Sequence, residues 1–293
     1  MSAPTSVWSP PLPEAAGFEH LVVETPGLRT HLAAIGEGEP VVLLHGFPEH
    51  WWQWRAVAPV IAERGYRVIC PDLRGAGWTV AHDPRVDRTV RLLDLLSLFD
   101  ALDIERAHIV SHDMGAITAM QLTYDHPERV RTAVQFSVPP AFMKFSPRVA
   151  SGFRHLPQFI WHRPGASLRG FFSEPYTARP LSEADIEAHL APMERPDIDD
   201  AVRTLTRGMI LPEAVRLAVG VYRRRRLTVP TILVFGRQDR PWTEENLGRI
   251  CRNPERYADR VEFAYVDNAA HFITDDDPAA VAELALDWFE RVA

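Results

Sequence analysis

Apolar residues fall along this chain in two alternating patterns: short unbroken runs, and longer stretches in which they return every third or fourth residue. Residues 41–44 are wholly apolar and closed by His45-Gly46, while 66–70 are largely apolar and closed by Pro71-Asp72. That is the composition of strands covered on both faces. Similar runs at 108–110, 130–138, 231–235 and 261–266 predict further strands. Ahead of them, 20–24 and 28–35 predict a strand pair around the turn Thr25-Pro26-Gly27. Helical spacing is expected from about Trp52 to Arg64, over 87–102 (Leu92, Leu95, Leu96 and Phe99), over 116–126 ahead of Pro127, and over 279–292.

Strand followed by helix, repeated, predicts an α/β fold with a mostly parallel central sheet flanked by helices. The alternation stops from about Pro139 to Leu227, where aromatic residues and Pro-punctuated helical segments replace strands, and it resumes at 231. One fold with a helical insertion accounts for this better than two independent domains. The expected division is a core over 1–138 (with an irregular Pro-, Ser- and Ala-rich arm over 1–17), an insertion over 139–227, and the remainder of the core over 228–293.

Composition adds exclusions. The chain has 293 residues, 46% hydrophobic and 24% charged, which argues against disorder and fibrous repeats. A formal net charge of −7 argues against a nucleic-acid partner. Two cysteines make no disulfide framework, and Cys70 is expected as a buried apolar side chain. The first residues show no basic segment followed by an apolar one, and no apolar run approaches the length of a spanning helix. A soluble cytoplasmic protein without a membrane partner is therefore expected. The run Arg223–Arg226 reads as a solvated helix end.

Four segments carry the candidate chemistry. Ser111-His112-Asp113-Met114-Gly115 lies at a strand-to-helix junction, where serine hydrolases place G-x-S-x-G on a tight turn. Asp113 holds the nucleophile position and Ser111 falls two residues too early, so a carboxylate nucleophile is expected. His45-Gly46-Phe47-Pro48-Glu49 follows a buried strand. A loop of that kind donates one backbone N–H to an oxyanion hole and the residue after the nucleophile donates another, which points to Phe47 and Met114. Asp239 and His271 each lie just past a predicted strand. Nucleophile, acid and histidine in that chain order is the α/β-hydrolase order. His45 and His112 flank the site as hydrogen-bonded supports, and among the tryptophans Trp52 is the one expected to line an apolar substrate pocket.

From about residue 20 onward, these segments resemble the α/β-hydrolase fold family in its epoxide hydrolase branch, which is related to the haloalkane dehalogenases. The His-Gly-Phe-Pro-Glu loop followed by Trp51, Trp52 and Trp54 is most similar to epoxide hydrolases. The resemblance implies that 139–227 form a helical cap between core strands 6 and 7. It implies that Asp113 opens an epoxide to a glycol monoester, and that His271, oriented by Asp239, activates the water that hydrolyses it to a vicinal diol. It also implies two cap tyrosines that hold the departing oxygen. Val219-Gly220-Val221-Tyr222-Arg223 matches the second, Tyr222, whereas Pro157 stands where the first is expected, leaving His155, Gln158 and Tyr176 as neighbouring candidates.

The partners so implied are a small apolar epoxide and water. No cofactor and no metal are expected, since the histidines lack ligand spacing and no phosphate-binding glycine loop is present. A homo-oligomer stays open. A haloalkane dehalogenase with the same Asp-His-Asp groups is the alternative, although Met114 and Phe47 stand where halide-binding Trp or Asn is usual. A fluoroacetate-type dehalogenase lacks its Arg beside the nucleophile, a non-catalytic ligand-binding protein of this fold fits an intact triad poorly, and a serine esterase lacks its Ser at 113.

Overall fold

The computed structural model describes residues 9–240 and 242–292. The first eight residues of the expected arm, Pro241 and Ala293 lie outside the described residues. Among the described residues nine strands form one sheet: β1 Glu19–Thr25, β2 Leu28–Ile35, β3 Glu39–Leu44, β4 Tyr66–Pro71, β5 Val80–Ala81, β6 Ala107–His112, β7 Val130–Phe136, β8 Thr231–Gly236 and β9 Val261–Val266. Their spatial order is β1-β2-β4-β3-β6-β7-β8-β9, with the two-residue β5 pairing β2. β2 runs antiparallel to β1, β4 and β5, and every other pairing is parallel.

Alternation along the strands divides the core. Val41 and Leu43 face the layer containing Trp51, Trp54 and the C-terminal helix Pro278–Val292. Val42 and Leu44 face the opposite layer, with Leu92, Leu95, Leu98 and Phe99 of helix Arg88–Ala101. Asp87 caps that helix by accepting the Thr89 and Val90 N–H groups. The single helix expected from Trp52 to Arg64 is instead a 3-10 turn, Trp51–Trp54, and a short α-helix, Ala58–Ala62. Pro59 explains the break, because proline fits the first turn of a helix and not its interior.

Between β7 and β8 the described residues contain helices and no strand, including Leu156–Ile160, Glu183–Leu190, Pro196–Leu205 and Leu211–Ala218. With β5 set aside, these are the sixth and seventh strands, as expected. A separate apolar cluster joins the two parts: Phe47, Met114 and Phe272 from the core pack with Phe159, Phe171, Val202 and Met209 from the insertion. The chain passes from β3 to β4 on one side and then crosses back, through β5 and helix Arg88–Ala101, to β6 on the other side of β3. The crevice beyond the carboxyl ends of β3 and β6 is therefore the topological switch point where open parallel sheets bind ligands.

Asp72, just past β4, anchors the loop beside that crevice. Its Oδ1 accepts the Trp51 N–H at 2.8 Å, and its Oδ2 accepts the Trp78 N–H at 2.9 Å and lies 2.7 Å from His31 Nδ1. Burial alone would raise this carboxyl, but His31 outweighs it and draws the group from 3.8 down to about 2. A depressed folded pKa stabilises the fold above the unfolded value and loses that effect as pH falls through the folded one. Asp72→Ala is expected to lower unfolding free energy by about 3–5 kcal/mol at neutral pH. Urea unfolding should show the difference from wild type narrowing between about pH 4 and pH 2; a constant difference would exclude this role.

Candidate active site

β6 and β3 pair in parallel with Leu44 opposite Ser111, so the turns that follow them emerge side by side. Asp113 opens helix Asp113–Asp125 with φ 44°, the left-handed region that a side chain enters at a cost of about 1–2 kcal/mol. This conformation turns the carboxylate back over the strand ends. Two close approaches permit it. A Cβ at Gly115 would stand 2.3 Å from the Leu44 carbonyl oxygen, and one at Gly46 would stand 2.5 Å from both Glu49 Oε2 and His112 Nδ1. Neither position has room for a side chain.

The Phe47 N–H donates to Asp113 Oδ2 at 3.1 Å. Met114 follows Asp113 in the first turn, where backbone N–H groups lack intrahelical acceptors. On the other side His271 Nδ1 lies 3.1 Å from Asp239 Oδ2, while His271 Nε2 is 3.7 Å from Asp113 Oδ1, beyond hydrogen-bond length. Burial alone would raise the Asp113 carboxyl; His271 beside it prevails and holds it well below the ordinary carboxylate range. Burial would likewise lower His271, yet the charge of Asp239 and the Asp113 carboxylate keep it well above 6.5. The site thus sets an imidazole whose affinity for a proton is raised between two carboxylates.

Supports hold these groups in place. His112 Nε2 donates to the His271 carbonyl at 2.8 Å, its Nδ1 faces Glu49 Oε2 at 3.0 Å, and Ser137 Oγ also donates to the His271 carbonyl at 2.8 Å. His45 Nε2 accepts the Leu73 N–H, so its Nδ1 carries the proton given to the Gly46 carbonyl, and burial lowers its pKa to about 4. Sequence reasoning missed Ser137. Its only signal is its place one residue beyond a buried strand.

Above Asp113 lies a cavity of about 100 Å³, lined by Met114, Ile117, Phe153, Phe159 and Trp242 among others, with Asp113, His155 and His271 as its ionisable groups. His155 is drawn down by burial against the raising effect of Asp113. Three other expectations need correction. Tyr222 is fully buried, packs on Tyr124 and donates its hydroxyl to Glu213 inside the core, away from this lining. That buried carboxylate, next to Arg88, takes the hydroxyl that was expected to reach a departing oxygen. Trp52 packs against Trp51 beneath the Arg55 guanidinium. Gln158 is exposed on the turn of helix Leu156–Ile160 that faces solvent. Neither is among the described residues lining the cavity.

Comparison with known proteins places the fold. The model of the alpha/beta hydrolase fold family matches residues 39–278. Epoxide hydrolase 2 of Siraitia grosvenorii is 39% identical over 143 residues, covering 47% of this chain and 45% of that one, so the chain matches about half the length of that relative. Soluble epoxide hydrolase of Corynebacterium sp. (strain C12) is 28% identical over 90% of this chain and 94% of its own. The solved epoxide hydrolase CorEH, without ligand, has a TM-score of 0.79 at 26% identity and covers 94% of this chain and 100% of its own.

Asp239→Asn removes the strongest influence raising His271. The His271 ring is expected to titrate at a lower pH than in the wild type by NMR. An unchanged midpoint would mean that Asp239 only orients the ring.

Proposed function

The chain belongs to the α/β-hydrolase fold family, and from that premise we propose that it is an epoxide hydrolase working through an ester on Asp113. The observation that carries the reading is a carboxylate with one oxygen against a backbone N–H, at the floor of an apolar cavity, with an Asp-supported histidine beside it. The domain reading belongs to the same proposal: 139–227 act as a cap that closes the site against core segments 1–138 and 228–293.

Attack on an epoxide carbon needs an ionised oxygen and no base, and the depressed Asp113 carboxyl supplies it. The new ester C–O bond forms as the ring C–O bond breaks, leaving an alkoxide. Ester formation also removes the charge of Asp113, one of the influences that keep His271 protonated. His271 therefore sheds a proton as the alkoxide gains one, and the first step needs no net proton from outside. We assign the N–H contact to that oxygen to His155, which lines the same cavity.

Neutral His271 then takes a proton from water, and the hydroxide adds to the Asp113 carbonyl carbon. The Phe47 and Met114 N–H groups are the oxyanion donors of this step. The ester oxygen leaves with the proton on His271, and the proton remaining on Asp113 restores the imidazolium. An apolar epoxide and water enter and a vicinal diol leaves.

His271→Gln, exposed to a small aryl epoxide, is expected to gain the whole mass of the epoxide on Asp113 and to stop there. The same variant given a matched haloalkane should gain nothing; an adduct lighter by hydrogen halide would make the protein a dehalogenase. In the wild type, quenched turnover should contain more ester as pH is lowered, because hydrolysis needs neutral His271 whereas Asp113 stays ionised.

His155→Ala is expected to slow ester formation by about 10²-fold. Tyr222→Phe should leave it within about threefold while lowering the melting temperature. Rapid-quench mass spectrometry separates the two, and a block in Tyr222→Phe would return the departing oxygen to Tyr222.

A further inference from the structure

Behind the catalytic histidine, where the insertion meets the core, three side chains converge from distant parts of the chain. Glu49 comes from the loop after β3, His189 from helix Glu183–Leu190 of the insertion, and Asp275 from the short helix Ile273–Asp276 that follows His271. Glu49 and His189 are each 1% exposed, and the Asp275 side chain 2%. One donor atom from each lies within 4.8 Å of the other two.

Their hydrogen bonds do not close. Glu49 Oε2 is met by His112 Nδ1 at 3.0 Å, and Asp275 Oδ1 by Arg55 Nη1 at 2.9 Å. Glu49 Oε1, Asp275 Oδ2 and both ring nitrogens of His189 have no hydrogen-bond partner in the protein. His189 Nε2 stands 3.7 Å from Asp275 Oδ1, too far for a hydrogen bond. Buried polar atoms left in this state are unfavourable, and four of them at one point call for an occupant. The Arg55 guanidinium lies 2.7 Å from Asp185 and 2.9 Å from Asp275, and neither contact reaches Glu49 Oε1 or His189.

We propose that Glu49, His189 and Asp275 bind a divalent transition metal of the Zn²⁺ type. One imidazole and two carboxylates suit Zn²⁺, whereas Mg²⁺ and Ca²⁺ favour oxygen alone. Each carboxylate already has one oxygen against a neighbouring side chain, His112 Nδ1 or Arg55 Nη1, as the outer partners of metal ligands do. Zinc bonds of about 2.0–2.2 Å are shorter than the present spacing allows, so capture draws the three donors inward. The ion pins the insertion to the core, and through Glu49 and His112 it tensions the contact to the His271 carbonyl. This site does not depend on which bond Asp113 attacks.

The test is calorimetric titration of chelator-treated, tag-free protein with ZnCl₂, paired with thermal unfolding. One equivalent per chain is expected, with a melting temperature at least about 2 °C higher at saturation. His271→Gln should bind as wild type, which excludes the catalytic pair as the ligand. His189→Phe, which keeps a ring against Phe172, and Asp275→Asn should each lose binding at least tenfold. No stoichiometric binding by the wild type would overturn the proposal and leave an ordered water as the occupant. Binding retained in both folded variants would overturn it equally. If the variants do not fold, the Co²⁺-loaded wild type decides: the absorption of tetrahedral nitrogen and oxygen ligation supports the site, and its absence overturns it.

Discussion

An ionised carboxylate stays partly buried in apolar surroundings only if donors and a positive neighbour replace the water it has lost. Asp113 meets that condition through three pieces of chain brought to the carboxyl ends of β3, β6 and β9. The Phe47 N–H comes from the first and the left-handed turn from the second; His271, just past β9, stands on the other side of the carboxylate. Much else nearby serves this arrangement. Gly46 and Gly115 let backbone and side chains approach within distances a Cβ forbids, and His112 with Ser137 fixes the His271 backbone.

In the proposed reaction the same electrostatics link the two chemical steps. Two carboxylates face His271 and raise its affinity for a proton. On that proposal, consuming the charge of one of them in an ester relaxes the hold, so the first step would create the base that the second requires. The apolar lining strengthens the effect by keeping water from screening it.

The insertion contributes in a different way. It packs onto the core through aromatic and aliphatic side chains around Phe47, Met114 and Phe272, and so roofs the cavity with the residues that hold the site's floor. Tyr222 lies at the end of this insertion but turns into the core toward Glu213, while His155 turns into the cavity.

Strands buried on both faces declare themselves in sequence, because a continuous apolar run has no other stable place. Val41–Leu44, Val130–Phe136 and Thr231–Gly236 were legible for that reason, and so were Asp113, Asp239 and His271, which lie just past strand ends. The order of those three along the chain sufficed to predict that they meet. Partners in the helical insertion were not legible in this way, since amphipathic spacing says which face is buried and not which atom faces it. Tertiary packing alone sent Tyr222 to Glu213, left Trp52 and Gln158 off the cavity, and gathered Glu49, His189 and Asp275 at one buried point. Strand ends are placed by backbone hydrogen bonds that any residue makes, whereas contacts between insertion and core depend on side-chain shapes that only the finished fold defines.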